Sequence, residues 1–270
     1  MLTTTLALFV TGSAWWRYKQ KYNPSKEKLN IDNNHQNEQH QQPQQDLSVL
    51  PCLRNRRSIF PKSYLKDPPT PVDDTIIQSL LDAALWGPFH GRIYAGCEHP
   101  ARFVILGKTA MVDMQNMTLE YYDQHWKEVG WGDGGNANNT GRKEDYEAWR
   151  KMTQEEITGR WAPCSHMIAI VMRRQSGPNK RFPEWEEMAA TAAAVQNMHV
   201  QSTKFPQLAC YWSSWHEAVR DSEDMKKFLN MGSEDKCMGI FMVAQRDPRR
   251  VSTKDRRKRD RSIMQVEWRP

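Results

Sequence analysis

The stretch that decides the fold is Arg56-Arg57-Ser58-Ile59-Phe60. It places two guanidinium groups beside a hydroxyl, shortly before a well-marked helix. Planar guanidinium forks match phosphate oxygens, and a neighbouring hydroxyl can donate alongside them, so the stretch is a candidate anion clamp. The alternative interpretation is a solvated basic surface, formed with Arg54, that precedes a turn.

The first clear helix of the sequence follows Pro68-Pro69. Thr70 is predicted as its N-cap and Pro71 as its first residue. Acidic residues in the first turn complement the helix dipole, and apolar residues recur with helical spacing. The predicted helix ends at Gly87-Pro88. Its apolar face consists of Val72, Ile76, Ile77, Leu80, Leu81, Ala84 and Leu85.

Four apolar runs are predicted as buried strands, at residues 102–106, 167–172, 208–212 and 239–244. Helical patterns separate them, which indicates an α+β or α/β sheet domain. Residues 108–160 are polar, and their length predicts a helix, a loop and a second helix that form a lid or embrace another subunit. The glycines at 130–135 follow no strand and lack a phosphate-loop pattern. From Glu184 to Lys204 the Ala-rich sequence predicts a central helix packed closely on both sides.

Composition and charge bound the class of protein. The 270 residues carry a net charge of +6, and residues 246–270 hold ten Lys and Arg against four Asp and Glu, which equals the whole excess. The remainder is neutral, which argues against a nucleic-acid-binding face spread over the fold. The five cysteines are odd in number and widely spaced, as expected of reduced, packed thiols.

The chain divides into four predicted parts. Residues 1–22 are apolar up to Arg17 and either anchor or target the protein, with a membrane tether as one option, or form a removable extension. Residues 23–46 are rich in Asn and Gln and are predicted to be a disordered linker. Residues 47–250 form the folded domain, and residues 251–270 a basic tail. The sequence leaves the cellular location open.

Four later segments, taken in order with the opening stretch, identify a family resemblance. They are Trp86-Gly87-Pro88-Phe89-His90-Gly91, the helix that enters at Phe182-Pro183-Glu184-Trp185, Trp212-Ser213-Ser214, and Met238-Gly239-Ile240-Phe241. Together they resemble the FMN-dependent nitroreductase-like flavoproteins. The resemblance implies an α+β fold with a central mixed or antiparallel sheet flanked by helices. It also implies an intertwined homodimer that binds two FMN molecules at its interface.

The same resemblance implies roles for individual residues. Arg56 and Ser58 hold the FMN phosphate or ribityl oxygens, with Arg57 assisting by charge. His90 reaches the flavin of the other subunit, next to Trp86, where relatives often carry Arg. The remaining implied cofactor contacts are Trp212, Ser213 and Ser214 along the flavin edge and, among the late basic residues, Arg256 at the phosphate. Two departures from the family pattern are His99, where relatives carry an amide, and Ala244, where they carry a glycine.

The implied activity is hydride transfer from NAD(P)H through FMN to a small electron-poor acceptor, such as a nitroaromatic, a quinone or an enone. The flavin carries the chemistry, so no catalytic side chain is assigned. No metal site is predicted, because Cys97-Glu98-His99 and Cys164-Ser165-His166 differ from the usual zinc spacings. The alternative is a flavin-binding or interaction protein without turnover, tethered by its N-terminus. A nucleic-acid partner is not expected.

Overall fold

The computed structural model describes residues 48–66, 70–91, 97–131, 141–156, 161–175, 182–250, 264–265 and 267–269. All of them belong to one compact unit, Ser48–Pro270. The helices are α1 (Pro51–Asn55), α2 (Asp74–Ala84), α3 (Lys108–Val129), α4 (Lys143–Glu156), α5 (Glu184–Gln201), α6 (Glu217–Arg220) and α7 (Glu223–Phe228). The strands are β1 (Ala101–Leu106), β2 (His166–Met172), β3 (Leu208–Ser213) and β4 (Lys236–Gln245).

The four strands form one sheet in the order β1-β2-β4-β3. All three pairings are antiparallel, with Ile105 opposite Ile168 and Trp212 opposite Phe241 as examples of the register. The α+β prediction is therefore confirmed, and so is the existence of each predicted strand. One detail was wrong, because β1 is an edge strand of this sheet and is only half-buried, with Ile105 45% exposed.

Alternating side chains give the sheet two apolar faces. On β2, Ile168 and Ile170 pack with α2 and α5, whereas Met167 and Val171 belong to the cluster built from α3 and the following helices. All four side chains are completely buried. The sheet is thus the middle layer between two helical layers.

Helix α2 begins later than predicted. Its N-cap is Asp73, whose Oδ1 accepts a hydrogen bond from the backbone N–H of Thr75 at 2.8 Å. Thr70 and Pro71 lie before the helix, outside any helix or strand, so the prediction of Thr70 as the cap was wrong. An Asp carboxylate accepts the hydrogen bond and also complements the helix dipole, which explains why the helix starts at the acidic pair.

Helix α5 forms where it was predicted, and Ala194, Val195 and Met198 pack it against the sheet and α2. It ends at Gln201, and a 3-10 turn, Ser202–Lys204, completes the predicted length. Three acidic residues in its first turn suit the helix N-terminus. One of them, Glu187, is fully buried and forms an ion pair with Arg174 beyond the end of β2. This pair ties the start of α5 to the sheet.

Helices α3 and α4 confirm the two helices predicted in the polar region, and most of the loop predicted between them lies outside the described residues. All five cysteines are free thiols, and three of them, Cys164, Cys210 and Cys237, are buried. Among the residues that the structure describes, no helix is long and apolar enough to cross a membrane. The predictions for residues 1–22, 23–46 and most of the tail 251–270 lie outside the described residues and stay predictions.

Candidate functional site

The Arg56–Phe60 stretch lies along the outer edge of β3. The backbone N–H of Ile59 donates to the carbonyl of Cys210 at 2.9 Å, and the ring of Phe60 contacts Tyr211 at 5.0 Å between centroids. Farther on, Leu65 N–H donates to the carbonyl of Gln245 at 2.9 Å. Since Gln245 is opposite Leu208 at the start of β3, the stretch runs antiparallel to β3. Its two arginines therefore lie towards the Trp212 end of that strand.

A buried histidine organises the two arginines. His199, near the end of α5, receives a hydrogen bond from Nη1 of Arg56 at Nδ1 (3.2 Å). Its Nε2 lies 2.8 Å from the carbonyl oxygen of Arg57. A guanidinium can only donate and a carbonyl can only accept, so the imidazole must carry its proton on Nε2 and be neutral. His199 is 5% exposed, and its ring edge packs against Phe241 of β4.

The end of β3 presents the second group of predicted residues. Trp212 and Ser213 are half-buried and Ser214 is exposed. The Nε1–H of Trp212 donates to the carbonyl of Met238 at 2.7 Å, and Ser213 Oγ accepts from the backbone N–H of Trp215 at 3.1 Å. Trp215 has a φ of 58°, which turns the chain sharply out of the strand. The segment is thus held by hydrogen bonds on both sides.

Gly239 of β4 makes this close packing at the end of β3 possible. Its φ is +108°, and a Cβ at this position would lie 2.2 Å from the carbonyl oxygen of Ser213 and 2.9 Å from Nε1 of Trp212. Both the conformation and the space exclude a side chain. The Met238-Gly239 segment therefore fixes the position of Trp212 and Ser213.

A cavity of about 630 Å³ opens beside the same segment. Met238, whose carbonyl receives the Trp212 hydrogen bond, lies in its wall. Arg220 also lines it and donates to the carbonyl of Ser214 at 3.4 Å while holding Asp221 at 2.8 Å. The other lining residues are Met188, Lys226, Met231, Ser233, Glu234, Asp235, Lys236 and Cys237.

His90 lies at the opposite end of α5. Nε2 of His90 is 3.5 Å from a carboxylate oxygen of Glu186, in the first turn of that helix. Thirteen residues separate Glu186 from His199, and at the α-helical rise of about 1.5 Å per residue this is about 20 Å. Trp86 is 84% exposed. Within one chain, therefore, the structure brings Arg56, Arg57, Ser58 and the Trp212–Ser214 segment to one region and places His90 elsewhere.

The two residues that depart from the family pattern, His99 and Ala244, lie beside and within the sheet. His99 accepts a hydrogen bond at Nδ1 from the backbone N–H of Ala101 at 3.1 Å, at the start of β1. Burial lowers the pKa of His99 below its ordinary value of 6.5, and the backbone of Gly87 opposes this shift. Ala244 is fully buried in the sheet opposite Ala209.

Sequence reasoning missed His199 and did not single out Gly239. His199 looks like an ordinary position near the end of the Ala-rich helix, and only the approach of the Arg56–Phe60 stretch to that helix gives it a role. Gly239 carried a usable signal, because a glycine inside a strand often marks a close approach of another backbone. Arg256, the predicted late contact of the phosphate, lies outside the described residues.

Comparison with known proteins gives a consistent result. A sequence model of the Nitroreductase family matches residues 53–245. None of the curated protein sequences matches the chain. Among solved structures, a nitroreductase-like family protein from Bacillus cereus is 16% identical with a TM-score of 0.53, covering 80% of this chain and 94% of its own.

Two further solved structures are similar to the chain. The FMN-dependent nitroreductase NfnB from Mycobacterium smegmatis, in complex with NADPH, is 10% identical with a TM-score of 0.53 and covers 81% of this chain and 96% of its own. A nitroreductase with bound FMN from Bacteroides fragilis is 12% identical with a TM-score of 0.51, and the alignment covers 80% of this chain and 97% of the Bacteroides chain. At these identities the likeness concerns the fold.

Proposed function

Because the chain belongs to the nitroreductase family, whose sequence model matches residues 53–245, we propose that it is an FMN-dependent oxidoreductase. In this proposal it passes hydride from NAD(P)H through FMN to a small electron-poor acceptor. Two structural neighbours, the Bacteroides fragilis nitroreductase with bound FMN and the FMN-dependent NfnB in complex with NADPH, support the choice of cofactor and donor. Nitroaromatics, quinones and enones remain the candidate acceptors.

The residues at the edge of β3 fit FMN by their chemistry. Arg56 and Arg57 supply guanidinium donors for the phosphate, and Ser58, Ser213 and Ser214 supply hydroxyls for the ribityl chain and the ring edge. Ser58 and Ser214 are exposed and the two arginines half-buried, so the donors are within reach of a ligand. A guanidinium has five N–H donors, and the bond from Arg56 to His199 uses one.

The observation that carries the proposal is the fixed position of Arg56. A flexible surface arginine must be ordered when it binds an anion, which costs side-chain entropy. Here His199 holds the Arg56 guanidinium and the Arg57 backbone at the same time. The clamp is therefore arranged before the phosphate arrives, as expected of a binding site rather than a solvated basic surface.

The protein's contribution to the reaction follows from these positions. When bound, FMN supplies the hydride chemistry. Arg56 and Arg57 would hold its charged end, and Trp212, which is fixed by Met238 and Gly239, would contact the flavin edge together with Ser213 and Ser214. The cavity next to Met238 provides space for the acceptor. These residues bind and orient, so the transfer requires no side-chain acid or base.

A homodimer completes the proposal. Large apolar side chains are exposed just after α2, with Leu85 78% and Trp86 84% exposed, and at the start of α5, with Trp185 68% exposed; we call the surface of these two helices the α2–α5 face. We infer that these exposed apolar side chains are covered by a second subunit. Gly87 allows α2 to approach α5 closely, since a Cβ there would lie 3.0 Å from Cβ of Ala194. Pairing this face with a second copy would also give His90, about 20 Å from the Arg56 cluster along α5, a flavin of the other subunit to contact.

The test is the visible spectrum of the full-length purified protein, followed by anaerobic addition of NADH or NADPH. Flavin bands that bleach on addition support the proposal and identify the donor. Bound flavin that stays oxidised with both nucleotides supports the non-turnover alternative. A colourless protein that takes up no added FMN contradicts both.

A further inference from the structure

A continuous series of aromatic contacts runs away from the edge of β3. Tyr211 of β3 contacts Phe60 at 5.0 Å on one side and Trp161 at 6.2 Å on the other, nearly parallel to Trp161 with an interplanar angle of 21°. Trp161 in turn contacts Trp215 at 5.6 Å. These three inner rings, Tyr211, Trp161 and Trp215, are at most 7% exposed. The series therefore starts beside the proposed flavin site and leads into the core.

The contacts continue into the pair of helices α3 and α4. His216 lies 5.5 Å from Trp215 and 5.6 Å from Tyr122. Tyr122 contacts Trp149 at 4.9 Å, and Trp149 contacts Tyr146 at 5.9 Å. We call the rings from Tyr211 to Tyr146 the aromatic relay. Within the relay, the imidazole of His216 is the one ring that is neither a tryptophan nor a tyrosine, and it joins Trp215 on one side to Tyr122 on the other.

At the Tyr146 end of the relay, the phenol makes a hydrogen bond to a carboxylate, which packing alone does not require. The hydroxyl of Tyr146 donates a hydrogen bond of 2.6 Å to Oδ1 of Asp123. Arg150 donates two hydrogen bonds to the same carboxylate, from Nη2 to Oδ2 at 2.8 Å and from Nε to Oδ1 at 3.0 Å. Trp126 stacks on Tyr146 at 4.9 Å with an interplanar angle of 6°. A buried phenol thus has an ionised carboxylate at its oxygen and an indole on its face.

The protonation states of this pair follow from its surroundings. The hydrogen bond from Arg150 lowers the pKa of Asp123, and Tyr146 contributes in the same direction. Burial, and then the hydrogen bond to Asp123, raises the pKa of Tyr146. At neutral pH the pair is therefore a phenol facing a carboxylate, with the proton on Tyr146 and an acceptor already in place.

We propose that Tyr146 is a redox-active tyrosine that collects oxidising equivalents through the aromatic relay and passes its proton to Asp123. The primary oxidant is a one-electron oxidising radical, which takes one electron from a relay tryptophan such as Trp149 and is itself reduced. The oxidised indole then takes one electron from Tyr146. The O–H bond of Tyr146 breaks and its proton moves to Oδ1 of Asp123. The products are a restored tryptophan, a neutral tyrosyl radical and a protonated carboxyl group.

This activity goes beyond the proposed flavin function, and only its biological use rests on that function. Reduction of dioxygen beside a redox cofactor produces oxidising oxygen radicals, and Phe60 places the relay next to Arg57 and Ser58. Removing the oxidising equivalent to Tyr146, on α4, would protect the residues of the site. The electron transfer itself requires only the aromatic side chains and can be tested without flavin.

The experiment is pulse radiolysis of the full-length protein, stripped of flavin and then reloaded with FMN. Azide radicals oxidise tryptophan preferentially, so the tryptophanyl absorption should appear first and convert into the tyrosyl absorption. An intramolecular transfer gives a first-order rate that does not change with protein concentration. A conversion seen in the stripped protein tests the relay whether or not the protein proves to be a flavin enzyme.

Two variants assign the final step. Tyr146→Phe keeps the ring but removes the phenol, and most of the tyrosyl signal should be lost. Asp123→Asn keeps an acceptor oxygen but cannot take the proton, so the tyrosyl radical should form more slowly, with a larger solvent deuterium effect. Tyr121→Phe removes a phenol of α3 outside the Asp123 hydrogen bond and is the control. Unchanged yield and rate in Tyr146→Phe, or a rate proportional to protein concentration, would overturn the proposal.

Discussion

Nη1 of Arg56 donates to Nδ1 of His199 across 3.2 Å, joining two residues that are 143 positions apart in the sequence. The same imidazole holds the carbonyl of Arg57 through its other nitrogen. A helix from one part of the chain thus sets the geometry of an arginine clamp from another. The strength of the candidate site depends on this long-range contact rather than on the Arg-Arg-Ser motif alone.

Arg56→Ala should weaken FMN binding strongly. Hydrogen bonds to charged groups are worth about 1.5–3 kcal/mol, which corresponds to about a ten- to hundredfold rise in the dissociation constant. Quenching of free FMN fluorescence on titration with the apoprotein measures it. Arg54→Ala, which removes an exposed arginine two residues earlier, is the matched control and should change the constant little. Equal losses of FMN affinity in the two variants would show that Arg56 acts only as one of several surface charges.

His199→Phe should act on the same site indirectly. It keeps a ring against Phe241 but loses both hydrogen bonds, which should lower the free energy of unfolding by about 1–3 kcal/mol. FMN affinity should fall less than in Arg56→Ala. The double variant should lose less affinity than the two single losses combined, because both act through one guanidinium. Urea unfolding and FMN titration of the parent protein, the two single variants and the double variant give a double-mutant cycle. Strictly additive losses of FMN affinity would contradict the positioning role of His199.

Gly239→Ala should destabilise the protein severely. The new Cβ would lie 2.2 Å from the carbonyl oxygen of Ser213, and the φ of +108° is unfavourable for alanine. Backbone strain of this type costs about 1–3 kcal/mol before the clash is counted. Gly107→Ala is the control, since nothing lies within 4 Å of a Cβ there. Thermal unfolding should separate the two variants clearly, and similar melting temperatures would show that β4 adjusts at no cost.

His99 should make the stability fall as the medium becomes acidic. Its pKa in the folded protein is lowered, mainly by burial, from the ordinary value of 6.5. The unfolded chain therefore binds the proton first, and the stabilisation is complete above the ordinary pKa and lost as pH falls towards the folded value. His99→Asn keeps an acceptor for Ala101 N–H and should flatten this part of the profile. The check is the urea midpoint between about pH 7.5 and about pH 5.5, with His125→Asn on α3 as control.

Trp86→Glu should convert a dimer into monomers. Trp86 is 84% exposed on the α2–α5 face, and a carboxylate buried in an apolar interface lacks a compensating partner. Sedimentation velocity of the variant and the parent protein measures the change. Val112→Glu introduces the same charge at a position on α3 that is 45% exposed and should leave the association state unchanged. A variant with unaltered sedimentation would place the interface on another surface.

The sequence predicted the parts of this fold that depend on local patterns. Alternating or continuous apolar runs located all four strands, and the Ala-rich sequence located α5. The N-cap of α2 was misplaced because Thr70 and Asp73 both satisfy the local rule, and it is the Asp73 carboxylate, which also complements the helix dipole, that caps the helix. The burial of β1 was overestimated because strand order determines which strand lies at the edge, and order is not a local property.

In the candidate site, too, the residues with local sequence signals were predicted and those that depend on long-range contacts were not. Arg56, Arg57, Ser58 and the Trp212–Ser214 segment carried chemical signals that the sequence displays, namely grouped donors at recognisable positions. The role of His199 had no such signal, because a histidine at the end of a helix gains it only from the chain that packs beside it. His90 is named by the family pattern, and its distance from Arg56 within one chain becomes visible only in three dimensions.

The length of α5 has a genetic consequence for a dimeric enzyme. One end of this helix holds Arg56 through His199, and the other end contacts His90 through Glu186. If each flavin uses the arginine clamp of one chain and His90 of the other, a chain with Arg56→Ala and a chain with His90→Ala are defective in different halves of a site. A mixed pair of these chains contains one site with both residues intact and one with neither. Two inactive alleles could then restore activity to each other when expressed in the same cell.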